Sequence, residues 1–370
     1  MSLDKLMAAN ALLKINDIYQ GYNFDRGLKD YKAAIADVER NPIIITVLGT
    51  SISDGYYASD IITKNWNGRL RTLLQAKYGD VGVGSYRLPP SASDTHTPWV
   101  LVGSWAYNNN SLCARRITGG GAAGITASLT FIGTEITLIY NKGSDGSNGT
   151  TITIDGVSKT APDFYSATTV INNTVTYSGL TNAEHTIVIT ADPTAGKKCH
   201  IAGALVKKPT TSGDKGCYLY NFAVGGAKTS NFTASASNIV PITHSHLVII
   251  ELGANNLSTT ADFATELDAI VAAIKANTGV SVLLLPCYEA NTTEAFKEAL
   301  KTNRRTMYQV AEKYNCALLD IWSMWGSWDD GHARGLWGSG SYDGNAGDDI
   351  VHLSDKGHRL LGNMVADILL

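Results

Sequence analysis

Residues 43–55 read IIITVLGTSISDG, a run of apolar side chains that stops at a glycine and passes into a short polar segment. An apolar run of this length, bounded by Gly49, is typical of a strand that is buried on both faces. Residues 60–78 follow with large apolar side chains at helical spacing, and Gly79 closes the pattern. The stretch therefore predicts a β–loop–α unit in which the polar segment forms the loop.

The same alternation returns after Lys208. Apolar runs alternate there with helical patterns over 261–277 and 293–314, and the last helix is predicted to begin after Ser354, a good N-cap residue. The runs are Tyr218–Val224, Leu247–Leu252, Val280–Cys287 and Ala317–Ile321. Together with the run after Pro42 they predict an α/β fold with a five-stranded parallel sheet covered by helices on both faces. In such sheets, functional sites form at the carboxyl ends of the strands.

Between Trp99 and Lys208 the helical spacing disappears. Short runs of alternating apolar and polar residues take its place, separated by turn signals such as Asp155-Gly156. Such a segment predicts a β-sandwich of its own. We therefore expect two domains. They are an α/β domain formed by residues 1–98 and 210–370, and an inserted β domain formed by residues 99–209.

Composition and charge narrow the class of protein. Of the 370 residues, 44% are hydrophobic and 17% are charged, so the chain can bury a large core. The net charge is −3 and the pI is about 6.2, which argues against a general nucleic-acid or anionic-membrane surface because such surfaces need excess lysine and arginine. No run of about 18 apolar residues predicts a membrane span. The start of the chain lacks signal-peptide features, so we expect a cytosolic protein, a trimmed chain, or one that reaches the outside without a signal, as phage particle proteins do.

The cysteine pattern predicts no shared site. The five cysteines are scattered, odd in number and without a CxxC pair, so we expect buried free thiols, while a bridge such as Cys113 with Cys199 stays open. No pattern predicts a metal or a cofactor. His244 and His246 lack further ligands for zinc, and no glycine-rich dinucleotide fingerprint is complete.

Polar segments follow three of the predicted strands, and a fourth lies just before the last helix. Each has an ordinary interpretation alone, since Gly-Thr-Ser after a strand is usually only a turn. As a set they hold the parts that acyl transfer needs, namely a nucleophile, a base, an orienting acid and oxyanion donors. Asp349 and His352 can share one turn, so the carboxylate can hold the imidazole while its other nitrogen takes the Ser51 proton. Gly226 can offer a backbone N–H, and Asn255 a side-chain amide, to the oxyanion.

In this order and at these chain positions, the four segments resemble the conserved blocks of the SGNH/GDSL hydrolase superfamily. The matching residues are 49–53, Asn221 with Gly226, 253–256, and 349–353. The resemblance covers the whole predicted α/β domain and implies a flavodoxin-like three-layer sandwich. It also implies a triad of Ser51, His352 and Asp349. The oxyanion hole it implies consists of the Ser51 N–H, the Gly226 N–H and the Asn255 side chain.

Two positions depart from the superfamily pattern. Thr50 and Asn256 each stand where the superfamily usually has aspartate. Neither position belongs to the triad, so we expect changes in loop hydrogen bonding rather than loss of activity. The GxSxG elbow of α/β-hydrolases is absent, which argues against that competing fold.

The inserted β domain resembles the jelly-roll modules of carbohydrate esterases. The similar stretches are 131–136, 154–156, 179–180 and 185–187. Bacterial peptidoglycan O-acetylesterases and some phage tail deacetylases combine such a module with this hydrolase. The resemblance implies a carbohydrate-binding-like domain, while the sequence leaves open whether the domain binds sugar.

Four of the seven tryptophans lie close together, at Trp322, Trp325, Trp328 and Trp337. The stretch Gly326–Asp348 has no regular period, and a long loop beside a catalytic pair is often functional. If Trp325, Trp328 and Trp337 are exposed, they can bind substrate by stacking on sugar rings. The alternative is that they pack the loop against the sheet, and the sequence favours neither.

These patterns lead to the hypothesis of a serine esterase, free of metal and cofactor, that removes O-acetyl groups from a polysaccharide. Its expected partner is an acetylated polysaccharide outside the producing cell, reached from an extracellular or virion-associated position. Self-association, or attachment to a larger particle such as a phage tail, is a further expectation. Two alternatives stay open, namely a short-chain lipid or general esterase, and a non-catalytic glycan-binding virion or surface protein. The complete triad argues against the second alternative.

Overall fold

The computed structural model describes residues 21–86, 88–89, 97–108, 115–209, 215–339 and 348–370. Within these ranges no helix is long and apolar enough to cross a membrane. The cysteines there are free and buried, as predicted, and they are Cys199, Cys217, Cys287 and Cys316. Cys113, the other half of the bridge considered above, lies outside the described residues.

The α/β part is built on one sheet whose parallel strands lie side by side. Their order is Ala317–Leu319, Ser281–Leu284, Leu247–Glu251, Ile43–Gly49 and Cys217–Asn221. The two-residue strand Gly21–Tyr22 is added antiparallel at the Ala317–Leu319 edge. The predicted α/β fold is confirmed. Because Ile43–Gly49 has a neighbour on each side, the segments that follow those neighbours lie beside the segment that follows it.

The strand Ile43–Gly49 is buried along its whole length because its side chains alternate between two cores. Ile43, Ile45 and Val47 pack with one cluster, which is covered by the helices carrying Leu70 and Leu361. Ile44 and Leu48 pack with the other cluster on the opposite face. Full burial of each such side chain stabilises the fold by about 1.5–3 kcal/mol, so this strand anchors the segment that follows it.

The helices that cover the sheet agree closely with the predicted ones, except that the first begins at Trp66 rather than at residue 60. They are Trp66–Tyr78, Thr260–Lys275, Glu294–Tyr314 and Asp355–Leu369. Shorter helices are Phe24–Gly27, Lys29–Ala36, Ser51–Asp54, Ser230–Thr233, Ala236–Thr243, Ile321–Trp325 and Trp328–Ala333. Ser354 caps the last helix, as predicted, by accepting a hydrogen bond from the Gly357 N–H.

The β part consists of two antiparallel sheets. One has the strand order Val157–Lys159, Thr151–Ile154, Ala183–Thr190, Thr126–Gly133 and Trp99–Val102. The other has the order Val170–Tyr177, Glu135–Lys142, Cys199–Lys207, Arg116–Gly119 and Trp105–Asn108. Leu129 and Ile187 of the first sheet share one core with Leu138 and Ile201 of the second. The two sheets therefore form a sandwich, and the jelly-roll description stays a prediction.

The β part packs against the edge strand of the parallel sheet. Ala202 and Leu205 belong to the same buried cluster as Tyr218 and Tyr220 of that strand. The short strand Ser85–Tyr86 pairs with the β part, at the Ala204 and Leu205 positions. We call this contact region the seam.

Candidate active site

Ser51 lies directly after the strand Ile43–Gly49, where the chain enters the one-turn helix Ser51–Asp54. Thr50 caps this helix, since its hydroxyl accepts a hydrogen bond from the Ile52 N–H. Gly55 ends the helix with a φ of 96°, a conformation that favours glycine. The chain thus presents Ser51 at the carboxyl end of a parallel strand, where this kind of sheet forms its functional sites.

Asp349 and His352 approach Ser51 from the far end of the chain. They lie on the strand Asp348–Leu353, which belongs to a short hairpin, whereas the sequence predicted a single turn. The strand is nevertheless folded locally around the carboxylate. Asp349 Oδ1 accepts hydrogen bonds from the N–H groups of Val351 at 2.8 Å and His352 at 2.6 Å.

The three predicted triad side chains make consecutive contacts. His352 Nε2 lies 2.7 Å from Ser51 Oγ, and His352 Nδ1 lies 2.9 Å from Asp349 Oδ1. Burial by itself would raise the pKa of Asp349, but hydrogen bonds from the His352 side chain and from two backbone N–H groups lower it to about 2. The carboxylate is therefore ionised at neutral pH and can hold the imidazole in one orientation.

Two tyrosines that the sequence pattern did not reveal flank His352. The rings of Tyr56 and Tyr57 stack on the imidazole, with centroid separations of 5.3 Å and 5.7 Å. Tyr57 has a φ of 63°, which is strained for a bulky residue, and such strain is commonly kept at functional sites. The two rings restrict the orientation of the imidazole. Their position directly after the turn at Gly55 places them near Ser51 in the chain, but no spacing in the sequence predicts that they stack on His352.

Two of the three predicted oxyanion donors, Gly226 and Asn255, follow the strands that lie on either side of Ile43–Gly49. Gly226 has a φ of 75°, so this position favours glycine. Two residues earlier, the Val224 N–H donates to the Gly49 carbonyl at 3.0 Å. The Asn255 side-chain amide donates to the Ala227 carbonyl at 3.0 Å. The structure thus brings the polar segments that carry Gly226 and Asn255 together beside the turn that follows Ile43–Gly49.

Glu251 is a buried carboxylate beneath this turn that the sequence analysis did not identify. Its Oε2 accepts hydrogen bonds from the N–H groups of Thr50 at 3.0 Å and Ser53 at 3.3 Å. The hydroxyls of the same two residues also donate to Glu251, at 2.9 Å and 2.8 Å. An aspartate at position 50 would place a second carboxylate against Glu251, so threonine suits this chain. Burial raises the pKa of Glu251 to about 7, although these hydrogen bonds favour its charged form.

The raised pKa of Glu251 predicts a dependence of stability on pH. The ordinary pKa is 4.5, so between about pH 4.5 and 7 the native state holds a proton that the unfolded chain has released. The contribution of Glu251 to the free energy of unfolding therefore falls as the pH rises from about 4.5 to 7 and is constant above pH 7. Relative to the Glu251→Gln variant, the wild type should lose about 3 kcal/mol of unfolding free energy across the window.

Urea unfolding of both proteins at several pH values measures this difference. The fixed cost of placing an amide in the site cancels, because only the change with pH is compared. A difference that stays level from about pH 4.5 to pH 8 would show that Glu251 does not titrate in this way.

Asn256, the second departure from the superfamily pattern, is buried and holds Thr229. Its Oδ1 accepts from the Thr229 N–H at 3.3 Å, and its Nδ2 donates to Thr229 Oγ1 at 3.0 Å. Both departures therefore take part in loop hydrogen bonds, the effect expected of them.

Trp325 and Trp337 do not present faces on which a sugar could stack. They are only 3% and 4% exposed and pack against Tyr288, with centroid separations of 4.9 Å and 5.1 Å. The substrate-binding expectation is therefore wrong for these two rings, because burial of large aromatic surface stabilises the loop. Trp328 is half-buried, stacks on Trp337, and donates from Nε1 to the Asp349 carbonyl at 3.3 Å. It supports the strand of the catalytic pair, and its contact with substrate stays a prediction.

The predicted structural role of His246 agrees with its contacts. His246 Nδ1 accepts a hydrogen bond from the Ile44 N–H at 3.1 Å, at the start of the strand Ile43–Gly49. Among the residues that the structure describes, no group of three or more His, Cys, Asp or Glu side chains is placed to hold a metal ion.

Comparison with known proteins adds a family match. Residues 201–360 match the model described as the GDSL-like Lipase/Acylhydrolase family. This range includes Gly226, Asn255, Asp349 and His352 but not Ser51. No curated protein matches the sequence.

Two solved structures are similar to the chain, one of them over both of its parts. The first is titled "Peptidoglycan O-acetylesterase in action, 5 min" and is 16% identical to this chain. The alignment includes 94% of this chain and 97% of the chain in that structure, with a TM-score of 0.67. An acetylxylan esterase from Geobacillus stearothermophilus is 17% identical over 42% of this chain and 74% of its own, with a TM-score of 0.34. At such identity the first similarity shows a shared fold, and it extends over the α/β part and the β part together.

Proposed function

Because residues 201–360 match the model of the GDSL-like Lipase/Acylhydrolase family, we propose that the chain is a serine esterase that removes O-acetyl groups from a polysaccharide. The observation that supports this most strongly is the pair of contacts made by His352. One ring nitrogen lies 2.7 Å from Ser51 Oγ and the other lies 2.9 Å from an Asp349 oxygen. A hydroxyl, an imidazole and an ionised carboxylate in this order are the groups that nucleophilic acyl transfer requires.

In the first half of the proposed reaction, Ser51 Oγ attacks the acetyl carbonyl carbon while its proton passes to His352 Nε2. The carbonyl oxygen becomes an oxyanion, which the Ser51 N–H, the Gly226 N–H and the Asn255 amide stabilise. The bond between the acetyl carbon and the sugar oxygen then breaks, and that oxygen takes the proton from His352. Asp349 stabilises the transient imidazolium without itself being protonated.

In the second half, water hydrolyses the acetyl-enzyme. His352 Nε2 takes a proton from the water as its oxygen attacks the acetyl carbon. The bond from that carbon to Ser51 Oγ breaks, the proton returns to the serine, and acetic acid leaves and ionises to acetate in water. All atoms balance with water as the only co-substrate.

A glycan substrate is supported by the two-part architecture. The solved structure that shares this architecture over nearly its whole length is titled as a peptidoglycan O-acetylesterase. Several edge and face positions of the β part are exposed to solvent, so it has surface available beside the α/β part. We infer that the acetylated polymer lies outside the producing cell. Attachment to a larger particle stays a prediction.

Acyl-chain preference tests the acetyl specificity. With p-nitrophenyl esters of increasing chain length, kcat/KM should be highest for acetate and fall by roughly tenfold or more by hexanoate, because a site fitted to a methyl group rejects added methylenes. Acetate release from a panel of acetylated polysaccharides then identifies the polymer. Faster turnover of long acyl esters would favour the lipid or general esterase. Glycan binding without any turnover would favour the non-catalytic alternative.

A further inference from the structure

A buried ion pair crosses the seam and ends at the helix that carries Ser51. The Arg115 guanidinium, from the β part, pairs through Nη2 with Asp54 Oδ2, and the two side chains are only 2% and 1% exposed. Arg115 also donates from Nη1 to the Leu88 carbonyl at 2.8 Å. Charged side chains are almost never buried so completely unless they are paired, and the attraction within a buried pair is largely offset by the cost of desolvating both groups.

Asp54 joins two segments of the candidate active site. It is the last residue of the helix that begins at Ser51. The same oxygen that pairs with Arg115 accepts a hydrogen bond from the Gly225 N–H at 2.9 Å. Gly225 directly precedes Gly226, whose N–H is a proposed oxyanion donor. The Asp54 carboxylate therefore helps to fix the position of that donor relative to Ser51.

The carboxylate in turn depends on the guanidinium. Removing Arg115 would take a positive charge away from a buried carboxylate, which favours entry of water or movement of the Asp54 side chain. Either response weakens the hydrogen bond to the Gly225 N–H. A small shift of an oxyanion donor lowers the rate steeply, because the donor must point at charge that develops only in the transition state.

We propose that Arg115 is a positioning residue for ester hydrolysis, acting through Asp54 and Gly225 on the Gly226 N–H. The β part thereby completes the catalytic centre of the α/β part, whatever it contributes to binding sugar. This inference rests on the proposed esterase function. It predicts that an intact β part is needed even for substrates that contain no sugar.

Other contacts already hold the two parts together, so the ion pair is not needed merely to join them. The buried cluster at the seam is apolar, and the strand Ser85–Tyr86 of the α/β part pairs with the β part at Ala204 and Leu205. Lys208 pairs with Asp80 at 3.2 Å on the exposed side of the same seam. This second pair is a matched control, because it also crosses the seam but touches no residue of the candidate active site.

Kinetics with p-nitrophenyl acetate test the proposal, since this small ester separates catalysis from sugar binding. Arg115→Met in the full chain should lower kcat by about 10- to 100-fold with KM within about twofold, because only transition-state stabilisation is lost. Arg115→Lys, which keeps the charge but not the forked geometry, should recover part of kcat. Lys208→Met should match the wild type.

Thermal melts of each variant separate positioning from folding. An unchanged kcat in folded Arg115→Met would overturn the proposal, as would a fall in kcat that only tracks the folded fraction. Should the methionine variant not fold, Asp54→Asn removes the charge that pairs with Arg115 and leaves the Gly225 N–H a weaker, neutral acceptor, so kcat should fall in the same way. A folded Asp54→Asn variant with wild-type kcat would overturn the proposal equally. Absence of turnover in the wild type would instead refute the proposed function and the inference together.

Discussion

Ser51→Ala is expected to lower turnover of p-nitrophenyl acetate by at least about 10⁴-fold, leaving only the contribution of the oxyanion donors and of substrate binding. The variant lacks Ser51 Oγ, which lies 2.7 Å from His352 Nε2 and is the atom that would form the acyl-enzyme. Steady-state kinetics of the purified variant measure the effect. The melting temperature should change little, since the substitution removes one oxygen from a half-buried position.

Ser59→Ala is the matched control for this variant. Ser59 is exposed, and its hydroxyl donates to Asp355 Oδ2 at 2.6 Å, away from the His352 ring. Its removal should leave kcat within about twofold, as for most surface substitutions. Turnover in Ser51→Ala above about one hundredth of the wild-type rate would refute Ser51 as nucleophile.

Asp349→Asn is expected to lower kcat by about 10³- to 10⁴-fold while KM changes little. The carboxylate holds His352 Nδ1 at 2.9 Å, so Nε2 is left to accept the serine proton. An amide at this position can donate to Nδ1, which would favour the tautomer whose Nε2 carries hydrogen and cannot act as base. It would also no longer offset the positive charge of the imidazolium.

Asp355→Asn is the control for the loss of a carboxylate near the site. Asp355 lies in the first turn of the last helix, where it pairs with Lys64 at 3.4 Å. Its replacement should leave kcat near the wild-type value. If Asp349→Asn kept more than about one tenth of the wild-type kcat, the orienting role of Asp349 would be refuted.

The α/β class and the segments that meet at the site could be predicted because both depend on local patterns. An apolar strand such as Ile43–Gly49 can be recognised from its run of apolar residues. The topology of a parallel sheet then places the segments that follow its strands at one edge of the sheet. Glu251 and Arg115 could not be found in this way. Each acts through a contact with a residue far away in the chain, as Arg115 does with Asp54. No periodicity encodes such pairings.

The tryptophan-rich loop illustrates a different limit. A cluster of aromatic residues beside a catalytic pair is compatible with stacking on a ligand and with packing beneath the site, since both use the same large apolar surface. Only the burial of Trp325 and Trp337 against Tyr288 decides between them. The stacking of Tyr56 on His352 was hidden for a similar reason, because a tyrosine after a turn has no distinctive spacing.

The central claim is that Ser51 is the nucleophile of an acyl-transfer site, and covalent labelling tests it most directly. A fluorophosphonate reacts with a serine only where a base and oxyanion donors activate it. Peptide mass spectrometry after labelling should find one adduct, on Ser51, together with loss of esterase activity and no adduct in Ser51→Ala. Labelling at another residue with equal loss of activity, or full activity with Ser51 labelled, would contradict the account.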